Sequence, residues 1–515
     1  MAGNPLQLAL QWIQAQQQGS LFLPITVSII IYLFVFRWFI GGDKGKLPPS
    51  PPKLPIIGNF HQLGTLPHRT LRDLSSKYGP LMILNLGTAK TLVVSSPEMA
   101  KEITKTHDLV FANRPATKGA KKLLYNCTDV GFAPYGEYWR EVRKVCVSEL
   151  LSAKRVQSFE VVRIEEIGFL MKKIKVLSLK PGTVVNLTEL LLNLANNLIS
   201  RVAFGKSYDE TDGTSRLGHL TRDVLTLMGA FSVGDYFPAF GWVDGLTGLT
   251  GRMDKTHTDL DAFFDQVIED HLNNKLGSSN HGHETIIDTL LRVQKDKTLN
   301  ITLVRDNIKA IVLDLFVAGT DTVSVVVEWA MVELVKNPEM MKKAQEEVRR
   351  VVGDKSRVDE DDIHHMDYVK CVVKEILRLH PPVPLLVPRE SSEETIINGF
   401  HIPAKTRVFV NSWAIQRDPN SWKDPEEFIP ERFVDNPVNY NGQHFEYLPF
   451  GAGRRGCPGM QFGLIASELL LANLLFWFDW KLPLDGSGKP NLDMDESFGL
   501  TVYKKNPTCI IPSLH

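Results

Sequence analysis

The sequence predicts a mainly α-helical body with small β-sheets (an α+β fold), preceded by one N-terminal transmembrane helix. Three observations predict it: a long apolar run near the N-terminus, helical periodicity over most of the remainder with few strand-like segments, and one apolar helix too long for a small domain. The 515 residues carry a formal net charge of −1 and are 43% hydrophobic. Length alone suggests about three domains, but the long helix argues for one large unit. The near-neutral balance speaks against nucleic-acid binding, which calls for a basic surface.

Residues 1–20 carry no charged side chain, and residues 21–40 read LFLPITVSIIIYLFVFRWFI. About 20 apolar residues span a bilayer as a helix, and Arg37 and Trp38 suit its interfacial end. Lys44 and Lys46 follow, so the positive-inside rule puts residues 1–20 in the lumen and the rest of the chain in the cytosol. A cleaved secretory signal fits less well, because the apolar run is long, no basic region precedes it and no small-residue cleavage site follows. Residues 41–55 form a basic, proline-rich hinge that includes Leu47–Pro52, LPPSPP, an extended and stiff sequence. Residues 56–515 form the globular body. On this topology the glycosylation sequons at Asn126, Asn186 and Asn300 stay unmodified.

Within the body, Leu81 to Val94 reads as a strand pair, and Thr395 to Asn411 as another with Asn398-Gly399 as its turn. Gly277 to His283 reads as a surface loop. The longest helix runs from about Leu303 to Lys336 and stops at Asn337-Pro338. At 1.5 Å per residue it is about 50 Å long. Its apolar middle implies burial all round, while Asp314, Asp321 and Glu328 disqualify it as a lipid-facing span.

The five cysteines form no Cys-x-x-Cys pair, so neither a zinc site nor a disulfide framework is indicated. Cys127, Cys146, Cys371 and Cys509 are expected to be small buried hydrophobes. Cys457 lies instead in Phe450–Gly459, FGAGRRGCPG. A thiolate is a soft anionic ligand suited to haem iron. Arg454, Arg455, the backbone N–H groups of a glycine turn and the start of a helix at Met460 can keep it ionised. Glycines there are expected to let a flat macrocycle approach the backbone. The same run matches G-x-G-x-x-G, but no strand precedes it and no βαβ unit surrounds it, so the dinucleotide reading is rejected.

FGAGRRGCPG matches every fixed position of the cytochrome P-450 haem signature, F-x-x-G-x-R-x-C-x-G. Four further segments resemble the same family in the same order: Trp139–Arg143 (W-x-x-x-R), Ala318–Thr322 (A-G-T-D-T), Glu375–Arg378 (E-x-x-R) and Phe428–Phe433 (containing P-E-R-F). The hinge, the APYGEYWR stretch and the A-G-T-D-T form resemble the plant microsomal family-71 group. The resemblance covers the whole chain and implies the cytochrome P-450 fold with haem b as cofactor. Cys457 is then the axial iron ligand, and Trp139, Arg143, Arg389 and Arg455 are partners of the haem propionates. Asp321 and Thr322 become a proton relay for oxygen activation. Read alone, that pair is equally a buried polar pair with Thr322 bonded back to a helix carbonyl. Gly319 is expected to admit a flat group or oxygen to the helix axis. Glu375, Arg378 and Arg432 are implied to be a buried structural network and not catalytic. Substrate contacts are expected from Ala318, Val383, Val387 and Leu500, all apolar.

The implied activity is insertion of one oxygen atom of O2 into a lipophilic plant metabolite: a terpenoid, a coumarin or other phenylpropanoid, or an alkaloid. With no flavin or NADPH site in the chain, electrons come from NADPH through the membrane-bound NADPH–cytochrome P-450 reductase, docked on a basic face near Cys457 that includes Arg454. The implied location is the endoplasmic reticulum membrane, with Phe237–Leu246 also touching lipid. Two alternatives stay open: a haem-dependent dehydratase or isomerase, and a non-catalytic haem-binding protein.

Overall fold

The computed structural model describes residues 26–29, 45–206, 214–273, 284–484, 486, 488 and 492–515. The expected span over 21–40 lies outside the described residues except for 26–29, and the expected loop at 277–283 lies wholly outside them.

The helices that set the site are α1 (Pro67–Tyr78), α2 (Lys118–Leu123), α3 (Glu137–Val145), α4 (Glu160–Ser178), α5 (Leu187–Phe204), α6 (Thr214–Met228), α7 (Leu249–Leu272), α8 (Ile286–Asp296), α9 (Arg305–Lys336), α10 (Pro338–Val352), α11 (Asp367–Leu379) and α12 (Met460–Trp477). Among the described residues β-structure is limited to short strands. A four-stranded sheet has the order β1–β2–β7–β4, from Leu81–Leu86, Ala89–Val94, Arg407–Val410 and Arg389–Glu390. The expected first pair is there, with Leu81 opposite Val94. In the second, β5 (Thr395–Ile397) and β6 (Phe400–Ile402) pair across Asn398-Gly399. Both turn residues have positive φ, 48° and 76°, as a two-residue hairpin requires. The following β7 leaves that hairpin and pairs in parallel with β2, Thr91 opposite Arg407. The remaining strands form a three-stranded sheet, β3 (Val185–Asn186), β11 (Cys509–Leu514) and β8 (Phe478–Lys481), and a hairpin of β9 (Glu496–Ser497) and β10 (Tyr503–Lys504).

Helix α9 crosses the body and packs on α5, α11 and α12. It is buried on every face from Ile308 to Leu313 and again from Val323 to Leu334, while Asp314, Leu315, Val317, Ala318, Gly319 and Thr322 border a cavity. Its acids are matched inside the protein. Asp314 accepts from Gly131 N at 2.9 Å, Glu328 from Thr508 Oγ1 at 2.7 Å, and Glu333 lies 2.8 Å from His380 Nε2. That pairing is what makes so apolar a helix a protein core and not a membrane span. Among the described residues, two helices, α9 and α12, are long and apolar enough to cross a membrane, and both are mostly buried in the protein.

One expectation needs correction. Cys127, Cys146 and Cys371 are buried, but Cys509 is exposed at the start of β11, where strand alternation turns it outward. Gly319 borders the cavity and also serves a helix crossing. A Cβ there would stand 2.6 Å from Ile199 Cδ1 of α5, so the missing side chain lets the two helices close on each other.

Candidate active site

One cavity of about 310 Å³ collects most of the residues singled out above. Cys457, Arg143, Arg389 and Arg455 line it, as do Thr322, Ala318, Val383, Val387 and Leu500. Asp321 does not. One step around α9 from Thr322, it turns toward Arg222 of α6, and burial pushes its carboxyl up to about 6 although Arg222 opposes the shift. Trp139 also stands off the cavity. Its ring lies under the Arg455 guanidinium at 4.2 Å, and its Nε1 donates to Val130 O at 3.0 Å.

The Cys457 loop takes its shape from short-range geometry. Cys457 N donates to Phe450 O at 2.9 Å, Gly453–Arg455 form a single 3-10 turn, and α12 begins only at Met460. Leu448–Phe450 is not a strand, so the dinucleotide fingerprint lacks its structural context. Gly453 is obligatory for chain packing. At φ 69°, its Cβ would sit 2.1 Å from Thr104 O. Gly459 and Gly463 differ: both border the cavity, and no described atom lies within 4 Å of where their Cβ would be. The Cys457 sulfur is open to the cavity. Burial raises its pKa, while the Gly459 N–H and the charge of Arg143 lower it.

Four guanidinium groups converge on this space. Arg143 Nη2 donates to Gly456 O at 2.6 Å. Arg389 pairs with Asp108 at 2.9 Å and donates to Ala452 O at 2.7 Å. Arg455 donates to Ala112 O at 2.7 Å and Ala133 O at 2.6 Å. The fourth, Arg114, was not anticipated. It is buried and donates to Gly131 O at 2.9 Å and Pro388 O at 2.8 Å. Burial pulls all four below the ordinary arginine range, and repulsion by neighbouring arginines adds to this in Arg114 and Arg455. Such a concentration of buried positive charge suits a ligand bearing carboxylates. A thiolate donor, four guanidinium groups and two glycines with clear space beside them together fit haem, with its iron, two propionates and flat ring.

Further parts of the wall come from α9 and from the segment after α2. Thr322 Oγ1 donates to Ala318 O at 2.7 Å, which leaves its lone pairs free to accept. Tyr125, Asn126 and Cys127 all have positive φ (48°, 61° and 59°), a strained run for non-glycine residues. It is held by Tyr125 Oη donating to Asp261 at 3.0 Å and Tyr138 Oη donating to Thr128 O at 2.6 Å. Directly after it, Val130, Gly131 and Phe132 face the cavity, clipped to α9 through Asp314.

Away from the cavity, Glu375 accepts two bonds from Arg378, at 2.8 and 2.9 Å, and one from Arg432 Nε at 2.9 Å. The side chains of Glu375 and Arg378 are fully buried. Arg378 also donates to the carbonyls of Gln416, Pro425 and Glu427. The network is therefore saturated, and neither residue faces the cavity.

Comparison with known proteins agrees with this geometry. The family model described as Cytochrome P450 matches residues 48–508. Cytochrome P450 71A1 of Persea americana is 56% identical over 461 residues, covering 89% of this chain and 91% of that protein. Phenylacetaldehyde oxime monooxygenase CYP71AN24 of Prunus mume is 48% identical over 515 residues, covering 98% and 97%. A zebra fish cytochrome P450 solved with abiraterone superposes with a TM-score of 0.75 at 25% identity, covering 88% of this chain and all of that one (100%).

Proposed function

The chain belongs to the cytochrome P450 family and is a cytochrome P450 monooxygenase, and on that premise we propose that Cys457 is the axial thiolate of its haem iron and that the substrate is a lipophilic plant metabolite. The observation that carries the proposal is the convergence of Cys457, four guanidinium groups and Thr322 on one otherwise apolar cavity. When bound, haem supplies reductive activation of O2, one oxygen atom entering the substrate and the other leaving as water, with thiolate donation favouring O–O cleavage.

The chain's own residues do the rest. The Gly459 N–H and Arg143 oppose the burial that raises the Cys457 pKa, and so favour the thiolate that iron would bind. Arg114, Arg143, Arg389 and Arg455 hold the propionates, and Trp139 acts behind them by stacking on Arg455. Asp321, poised at about 6, exchanges protons with the solvent side near neutrality, and the Thr322 hydroxyl accepts a hydrogen bond from the water that carries the proton inward. That hydroxyl at the cavity favours oxygen activation over dehydration, isomerisation or simple haem carriage.

Ala318, Val383, Val387 and Leu500 make the substrate wall aliphatic, which suits a terpenoid, coumarin, phenylpropanoid or alkaloid skeleton. Electrons reach the haem from NADPH–cytochrome P-450 reductase docked near Arg454, whose side chain is half exposed and paired with Asp108 at 3.0 Å. The anchor at 21–40, with its lumenal residues 1–20 and its hinge at 41–55, holds the body of residues 56–515 on the cytosolic face of the endoplasmic reticulum. Exposed Ile56, Phe240, Trp242 and Leu246 rest on the lipid beside it. The test is turnover of a panel of neutral terpenoids, coumarins and alkaloids in reductase-containing microsomes. Product formation that requires both NADPH and O2 supports the assignment, and turnover independent of both refutes it.

A further inference from the structure

Behind the substrate wall lies a second space of about 10 Å³, bordered by His68, Trp329, His380, Trp413, Glu496 and Val502. Its polar atoms form an unusual set. His68, on α1 and fully buried, has Nε2 3.3 Å from Glu496 Oε2. His380 lies flat on Trp329, ring centroids 4.0 Å apart, with Nε2 2.8 Å from Glu333 Oε1. A carboxylate only accepts hydrogen bonds, so each Nε2 carries a proton and donates it. In a neutral imidazole this leaves Nδ1 as a bare acceptor. Burial pulls His380 below its ordinary range, which favours the neutral ring, although Glu333 opposes the shift. Neither Nδ1 has a partner among the described residues, and neither does Trp413 Nε1, an obligate donor. The rings of His68 and Trp413 meet edge to face with centroids 5.1 Å apart.

One donor and two acceptors thus belong to residues that line a volume of about one water molecule. Buried polar groups in proteins are nearly always paired, and a water that accepts one bond and donates two would satisfy all three nitrogens. We propose that this space is a binding site for a single ordered water, which accepts from Trp413 Nε1 and donates to His68 Nδ1 and His380 Nδ1.

The water joins segments that carry the substrate wall. Glu496 begins the β9–β10 hairpin, whose tip places Leu500 and Thr501 in the cavity, and Arg69 pairs with the same carboxylate at 2.9 Å. His380 precedes Pro382 and Val383, also in the cavity, and Val502 N donates to Pro382 O at 2.8 Å. Through the water both wall segments are tied to α1 and to the short helix Ser412–Ile415. His68, His380 and Trp413 are therefore positioning residues for the bound molecule, a role that rests on the proposed use of the large cavity.

The test has two arms. In a structure of the haem-loaded protein at a resolution that orders water, one density peak is expected within hydrogen-bonding distance of all three nitrogens. No peak, or a peak bonded to fewer than three, overturns the site. This arm does not depend on what the large cavity binds. The second arm uses Trp413→Phe, which removes the donor along with part of the ring that stacks on Arg72 and Arg417, titrated with a lipophilic aryl imidazole and followed by the Soret shift. The dissociation constant should rise about two- to tenfold, the scale of one neutral hydrogen bond, with thiolate ligation of the reduced carbon-monoxide complex retained. Unchanged affinity would overturn the positioning role.

Discussion

The side of the cavity that carries Cys457 and the side that carries Val383, Val387 and Leu500 are held in place by different forces. Around Cys457 nearly every backbone turn is pinned by a charged side chain: Arg455 on the carbonyls of Ala112 and Ala133, Arg389 on Ala452, Arg143 on Gly456. Glu375, Arg378 and Arg432 lock the neighbouring segments in the same way. Few residue types can make those bonds, and each leaves a buried charge behind if its partner is lost. The opposite side is aliphatic, set by packing and by the loops behind it, and many residues could fill it. A cofactor-binding half and a substrate-binding half built this way should respond to substitution on different scales.

The largest effect belongs to the ionic half. Arg378→Ala takes two of the bonds to the fully buried Glu375 and leaves Arg432 as its remaining cationic partner, a change worth about 3–5 kcal/mol. The expected outcome is little or no haem-loaded protein, read as yield and thermal midpoint. A variant of near wild-type stability would mean the network is dispensable and would erase the contrast. Next comes Thr322→Ala, at the boundary between the halves. It should keep haem and thiolate ligation while product per NADPH falls by on the order of 10²-fold and peroxide accumulates. Unchanged coupling would return Thr322 to the role its bond to Ala318 already gives it, a hydroxyl satisfied within its own helix. Smallest is Val383→Ala on the aliphatic side. It should leave the thermal midpoint nearly unchanged and shift the ratio of two competing substrates by about tenfold, the scale of one or two methylenes in an apolar pocket. A loss of haem in this variant would show that the substrate half also supports the cofactor.

The same division explains what the sequence could disclose. Short-range patterns were legible: the Asn398-Gly399 turn, the stop of α9 at Asn337-Pro338, and the Cys457 loop, where the residue types are dictated by local geometry and charge. Arg114 was not. Flanked by Asn113 and Pro115 it reads as a solvated turn, and only the distant carbonyls of Gly131 and Pro388 bury it. An arginine two residues after the apolar Phe111-Ala112 is the signal that was there to follow. The second role of Gly319, in the helix crossing, was hidden for a related reason, since its neighbour Ile199 is 120 positions away in the chain and on another helix. The parallel pairing of β7 with β2 and the clip from Asp314 to Gly131 are likewise long-range. The water-sized site behind the wall depends on four such separations at once. Ala318, Val383, Val387 and Leu500 do share the cavity, yet through family position and not through any chemistry of their own.

The central claim is that Cys457 is the iron ligand, and the most direct measurement is the absorption spectrum of the dithionite-reduced carbon-monoxide complex. The wild-type protein should show the red-shifted Soret band of thiolate ligation, and Cys457→Ala should abolish it. A wild-type complex without that shift, or a Cys457→Ala protein that retains it, would contradict the account.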